Sequence, residues 1–181
     1  MHSTLRAELI WKALVLSSEA LLRECRRERY QGSGPGGQKR NRVLSGVRLL
    51  HNATALRAES SEHREGERNV AAALTRLRLE MAIALGRCVL DQSLSGDKLK
   101  DMMSLEAHRF RLASASHADY PLCAGLALIS FAAKQGRVAD ASKEFKISGS
   151  AFTRFLRADK KIWAFALELR QSFHLGPLKE P

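Results

Sequence analysis

The chain has 181 residues, 45% of them hydrophobic, which supports a folded core and excludes a disordered chain. A surplus of 30 Lys and Arg over 19 Asp and Glu gives a formal charge of +11, so the expected partner is a polyanion, nucleic acid ahead of a membrane surface. No apolar run reaches the roughly 18 residues of a bilayer span, and Arg6, Glu8 and Lys12 interrupt the N-terminus, so neither a membrane helix nor a signal peptide is expected and the cytoplasm is the expected location.

Residues 1–24 read as two short helices. Leu5, Leu9, Ala13 and Leu14 recur at helical spacing, with Trp11 in the core, and Ser17-Ser18-Glu19 reads as a second helix start. Cys25 to Gln31, rich in Arg, reads as a strand leading into a glycine-rich loop. Leu44 to His51 is a second strand, with Val47 and Leu49 inward and Arg48 outward. Asn52-Ala53-Thr54 is a turn, and Ala55 to Ser60 a third strand. From Glu65 to Arg87 comes the clearest helix, with Val70, Ala73, Leu74, Leu77, Met81 and Leu85 on one apolar stripe. Residues 88–118 read as a connecting region with one or two short helices.

Residues 120–175 read as all helical. Leu122 to Lys134 is a nearly all-apolar helix. Ala141 to Leu156 has the pattern of a helix-turn-helix. Ala141 and Phe145 pack its first helix, Ile147 plugs the turn, Ser148 caps the second helix, and Phe152, Phe155 and Leu156 face the core. Lys146 stands where such turns often have glycine. Asp159 to Phe173 is a last helix around Trp163 and Leu167, ended by Gly176-Pro177. Arg154, Arg157, Lys160 and Lys161 fit nucleic-acid docking and fit equally a helical packing module with solvated charges. Residues 1–89 carry a net charge of +7 and residues 90–181 one of +4, so the charge lies mainly in the first half. The expected organisation is α+β: a small domain of about three strands and a long helix with N-terminal helices (1–88), a connector (89–119) and a helical module (120–181).

Cys25, Cys88 and Cys123 are too scattered for a disulfide framework or a zinc site. His108 and His117 have no acidic partner at ligand spacing, so no metal and no cofactor is expected. Nothing in the sequence points to an oligomer.

The stretch Gly32-Ser33-Gly34-Pro35-Gly36-Gly37-Gln38-Lys39-Arg40-Asn41-Arg42 organises the rest. Glycines admit positive φ and close approach of a ligand, and Pro35 bends and stiffens the loop. Gly32, Gly34 and Gly37 also satisfy Gly-x-Gly-x-x-Gly. A dinucleotide site, however, needs an apolar strand before the glycines and an amphipathic helix after them. Here the flanks are Cys25-Arg26-Arg27-Glu28-Arg29-Tyr30 and Lys39-Arg40-Asn41-Arg42, both charged.

Ser33-Gly34-Pro35-Gly36-Gly37-Gln38, with Asn41 following, resembles the GGQ signature of class I peptide chain release factors, most closely the small codon-independent rescue members. The resemblance runs to about residue 80. Val47-Arg48-Leu49 falls where that family has the strand after the loop. Arg64, Arg68 and Asn69 fall where it opens its long helix. Two positions depart from the pattern: Gln31 stands where the family usually has Arg, and Glu65 where it has Ser. The resemblance implies a ribosome-dependent hydrolase of the ester joining a nascent peptide to tRNA. Gly36, Gly37 and Gln38 are the implied catalytic loop, shaped by Gly34, Pro35 and Asn41. Lys39, Arg40, Arg42, Arg48, Arg64 and Arg68 are the implied RNA contacts. The implied partners are the peptidyl transferase centre of the large ribosomal subunit, ribosomal RNA, peptidyl-tRNA and a glutamine methyltransferase.

No segment resembles a stop-codon-reading domain, so codon-independent rescue of stalled complexes is the expected activity. A non-catalytic RNA- or ribosome-binding protein and a helix-turn-helix DNA regulator stand as alternatives.

Overall fold

The computed structural model describes residues 2–31, 45–92, 97–98, 100–101, 104, 110 and 112–178. The fold is α+β. Helices α1 (His2–Val15) and α2 (Ser18–Arg23) precede strands β1 (Cys25–Tyr30), β2 (Gly46–His51) and β3 (Arg57–Ser60), and α3 (Gly66–Leu90) follows. Then come α4 (Tyr120–Ala133), α5 (Val138–Glu144), α6 (Gly149–Arg157) and α7 (Lys160–Ser172). Residues 97, 98, 100, 101 and 104 are also helical.

The strands form one antiparallel sheet in the order β1-β2-β3. Arg27 pairs with Leu49, and Leu49 with Ala58. Successive residues of a strand face opposite ways, so Val47, Leu49 and His51 lie on the face that α3 covers. Val47 and Leu49 are fully buried there against Val70, Ala73, Leu74 and Leu77. The other face carries Glu28, Arg48 and Glu59 side by side. β3 starts at Arg57, later than the expected Ala55, because Ala55 sits in the left-handed region at φ 58° as part of the turn. His51, buried at the start of that turn, hydrogen-bonds Thr54 Oγ1 through Nδ1 at 2.8 Å and Glu24 through Nε2 at 3.0 Å.

α3 is the spine. Its expected stripe is buried, and so is a second set, Leu79, Ala82 and Ile83, on another side. That second set meets α4, an apolar helix buried from Tyr120 to Ala132. α4 shares Leu122, Leu126 and Ile129 with the core under the sheet. It shares Cys123, Ala124, Ala127, Leu128 and Phe131 with a second core built by α6 and α7.

The helix-turn-helix forms over α5 and α6. Ser148 caps α6, its Oγ accepting from the Ala151 N–H at 3.1 Å. Phe145 stacks on Phe110 with ring centres 4.0 Å apart, and Phe152 packs between Phe131 and Phe145. Lys146 takes the position expected for glycine, at φ 55°. In the last helix the buried face is Ile162, Phe165, Ala166 and Leu169, with Trp163 and Leu167 only at its margins. Gly176-Pro177 does not end it. The helix closes at Ser172, with His174 at φ 54° and the Leu175 N–H reaching the Arg170 carbonyl at 3.0 Å. This is a Schellman-type closure with a non-glycine in the left-handed position.

Candidate functional site

The glycine-rich stretch is joined to the fold at two stems, and both are well defined. The β1–β2 ladder ends at the pair Tyr30–Gly46. Gln31 and Ser45 follow at the same end of the sheet. Gly34, Pro35, Gly36, Gly37, Gln38, Lys39, Arg40, Asn41 and Arg42 lie outside the described residues.

Asn69 secures the second stem. It is fully buried in the first turn of α3. Its Nδ2 donates to the carbonyls of Ser45 at 2.7 Å and His63 at 2.8 Å. Its Oδ1 accepts from the His63 N–H at 2.9 Å and the Ser60 hydroxyl at 3.2 Å. An Asn side chain can donate two hydrogen bonds and accept two, so its capacity is fully used. One side chain thereby ties the start of β2, the end of β3 and the 61–65 connection to α3.

Gly46 sets the packing of the first stem. A Cβ at this position would stand 2.8 Å from the Tyr30 carbonyl oxygen and 2.9 Å from the Tyr30 ring. The ring can therefore lie flat over the strand pair only because residue 46 has no side chain. The Arg48 guanidinium sits over the same ring, 5.3 Å from its centre.

Arg48 is thus held three ways. Its Nε and a terminal nitrogen donate to Glu59 at 3.1 and 3.0 Å, and Glu28 lies 3.8 Å off. These contacts compensate its charge within the outer face of the sheet. Arg64 and Arg68 belong to the other side, at the entrance to α3. Arg64 is exposed and makes no ion pair with a described residue. Arg68 Nε pairs with Glu65 at 2.9 Å. The carboxylate that departs from the release-factor pattern is therefore answered locally by one of the expected RNA-contact residues. The structure does not bring Arg48 together with Arg64 and Arg68.

Arg27, Arg29 and Glu67 were not among the expected site residues. Arg27 donates to Glu67 at 2.9 Å, and Arg29 approaches the same carboxylate at 3.9 Å. The hydrogen bond from Arg27, then the charge of Arg27 and of Arg29, hold the Glu67 carboxyl below its ordinary range. Glu67 also lies in the first turn of α3, where the helix dipole favours an anion. The alternation of Arg27 and Arg29 along β1 was a visible signal that both share one strand face. Which helix residue would meet them was not visible. Gly46 was a signal too, since glycine inside a strand often marks close backbone approach.

The thiols offer no chemistry to this region. Burial and the neighbouring Glu24 push Cys25 up to about 11, and burial raises Cys88. Neither is a ready nucleophile at neutral pH. Among the described residues no cluster of His, Cys, Asp and Glu could hold a metal ion, and no helix is long and apolar enough to cross a membrane. His108 lies outside the described residues.

The family model of the RF-1 domain matches residues 19–109, from α2 through the sheet and α3 into the following segment. No curated protein and no solved structure matches the chain.

Proposed function

The chain belongs to the RF-1 domain family, the GGQ-containing domain of class I release factors, and from that membership we propose that it hydrolyses peptidyl-tRNA on ribosomes stalled without a stop codon. The family carries a release-factor-like function at the ribosome, related to peptidyl-tRNA hydrolysis. Codon independence and rescue are the finer reading. The observation that carries the hydrolase reading is the string Gly34-Pro35-Gly36-Gly37-Gln38 inside the matched span, between the paired strand ends Tyr30 and Gly46, and codon independence rests on the resemblance to the small rescue members.

The chemistry needs little from the protein. A water oxygen bonds the ester carbonyl carbon, the acyl–oxygen bond breaks, and the terminal ribose hydroxyl leaves with a proton. The Gln38 backbone N–H is suited to donate to the oxyanion that forms on the way, and its carboxamide to orient the water. One such donor contributes about 2.7–4 kcal/mol to the transition state. Gly36 and Gly37 allow close approach to the peptidyl transferase centre without side-chain bulk. Ribosomal RNA and the substrate's own 2′-hydroxyl supply the rest.

Lys39, Arg40, Arg42 and Arg64 are the proposed phosphate contacts. Arg68 and Arg48 contribute after exchanging their carboxylate partners for RNA. Residues 120–181 are the second unit of the proposed organisation. The test is release of labelled peptide from ribosomes programmed without a stop codon, with Gln38→Ala beside the wild type. Loss of release with ribosome binding retained supports the hydrolase. Equal, negligible release from both proteins supports the non-catalytic binder.

A further inference from the structure

The α5–α6 unit lies beyond the span matched to the release-factor domain, and the charges of its turn and second helix are all positive. From Phe145 to Ala158 the chain carries Lys146, Arg154 and Arg157 and no acidic residue. Phe152, Thr153, Phe155 and Leu156 face the core, which leaves Ser150, Arg154 and Arg157 on one exposed face at i, i+4 and i+7. Lys146 is exposed in the turn ahead of α6. Lys160 is exposed at the start of α7, two residues past the α6 C-cap Ala158. Lys146, Arg154 and Lys160 form no ion pair with any described residue. Their neighbours behave differently: Lys134 pairs with Glu144, Lys143 with Asp140 and Lys161 with Glu80.

We propose that this surface grips the sugar–phosphate backbone of duplex RNA through Lys146, Arg154 and Lys160. Three cations with no ion-pair partner among the described residues, on a stretch from Phe145 to Lys160 whose one acid, Asp159, is engaged in capping α7, fit a polyanion. The positions that would read bases argue against sequence-specific DNA recognition. A recognition helix contacts base edges with side chains of its N-terminal part, and the useful side chains there are Arg, Lys, Asn and Gln. α6 offers Gly149, Ser150 and Ala151. The Ser148 hydroxyl is spent on the cap and the Thr153 hydroxyl on the Gly149 carbonyl at 2.9 Å. In the first turn of α6 this leaves Ser150 alone to reach a base. Short side chains between flanking cations suit contact with backbone and shape, which is how duplex RNA is bound. The choice of RNA also rests on the ribosomal reading above. The surface would then dock the protein on a ribosomal RNA helix away from the peptidyl transferase centre.

The probe is a fluorescent RNA hairpin of about 20 base pairs, titrated with the full chain at several salt concentrations, beside a DNA duplex of equal length. Each phosphate contact lowers the slope of log affinity against log salt by about 0.7–0.9. The triple variant Lys146→Ala/Arg154→Ala/Lys160→Ala should therefore reduce the magnitude of that slope by about 2 to 3. Its hairpin affinity should fall at least tenfold, with its helical circular dichroism unchanged. Arg154→Lys should retain binding, and Arg154→Glu should lose more than Arg154→Ala. Wild-type affinity and slope in the triple variant would overturn the proposal, as would tighter binding of the DNA. Gln38→Ala should bind the hairpin like wild type. A failed release assay with hairpin binding intact would strike the hydrolase reading alone.

Discussion

Asn69 Nδ2 donates to the carbonyl of Ser45 across 2.7 Å, and neither residue is exposed. Twenty-four residues separate them in the chain. The bond fixes the residue just ahead of β2, three places past the glycine-rich stretch, to the first turn of α3.

Asn69→Ala would leave the Ser45 and His63 carbonyls and the His63 N–H without their partner. A buried polar group left unsatisfied costs about 1–3 kcal/mol, so the variant should lose about 3 kcal/mol in urea unfolding. Asn69→Asp should lose at least as much, because its carboxylate would face two carbonyl oxygens. Peptide release should fall in both variants under conditions where they remain folded.

Gly46→Ala tests the other stem. The new methyl would meet a backbone carbonyl, which cannot rotate away as a side chain can. Overpacking of this kind costs about 1–3 kcal/mol. The measurement is the urea midpoint together with amide hydrogen exchange at Tyr30 and Val47. Faster exchange there than in β3 is the expected pattern.

Arg27→Ala should raise the Glu67 carboxyl toward its ordinary range, read by NMR titration. The sign follows from the direction of the shift. A carboxyl lowered in the folded state adds stability above its unfolded value, and that stability is lost as pH falls through the lowered folded one. The variant should therefore show a shallower loss of stability with acid than the wild type. Glu67 is solvent-exposed, so the difference is small and salt should erase it.

His174→Gly should stabilise the fold by up to about 1 kcal/mol, because glycine avoids the left-handed penalty at φ 54°. Gly176→Ala should be close to neutral, since a Cβ there meets nothing within 4 Å. Thermal unfolding of the two variants separates them. The contrast also tests which residue ends α7.

The sequence made much of this fold legible because local chemistry and tertiary packing agree. Val47 and Leu49 alternate with Arg48, and the sheet buries the first two. Ser17, Ser148 and Asp159 precede their helices, and each side chain accepts backbone N–H bonds there. Periodicity was less informative for α3, whose single expected stripe hid Leu79, Ala82 and Ile83. A helix packed on two sides shows no clean polar face. The start of β3 was placed two residues early and the stop of α7 assigned to Gly176-Pro177 because Ala55 and His174 adopt left-handed angles that their side chains do not advertise. Within the candidate site the glycines and Gln38 were legible as a string. The Asn69 clamp and the Arg27–Glu67 pair were not, since each joins residues distant in the chain.

The central claim is that Gln38 carries out ester hydrolysis on the ribosome. The direct measurement is single-turnover release of labelled peptide from stop-codon-less ribosome complexes, with wild type and Gln38→Ala at saturating concentration. The account expects rapid release by the wild type and a loss of about a hundredfold in the variant, which keeps the backbone N–H but removes the carboxamide that orients the water, the scale of one misplaced reacting group, with ribosome co-sedimentation unchanged. Release by Gln38→Ala at the wild-type rate would contradict it.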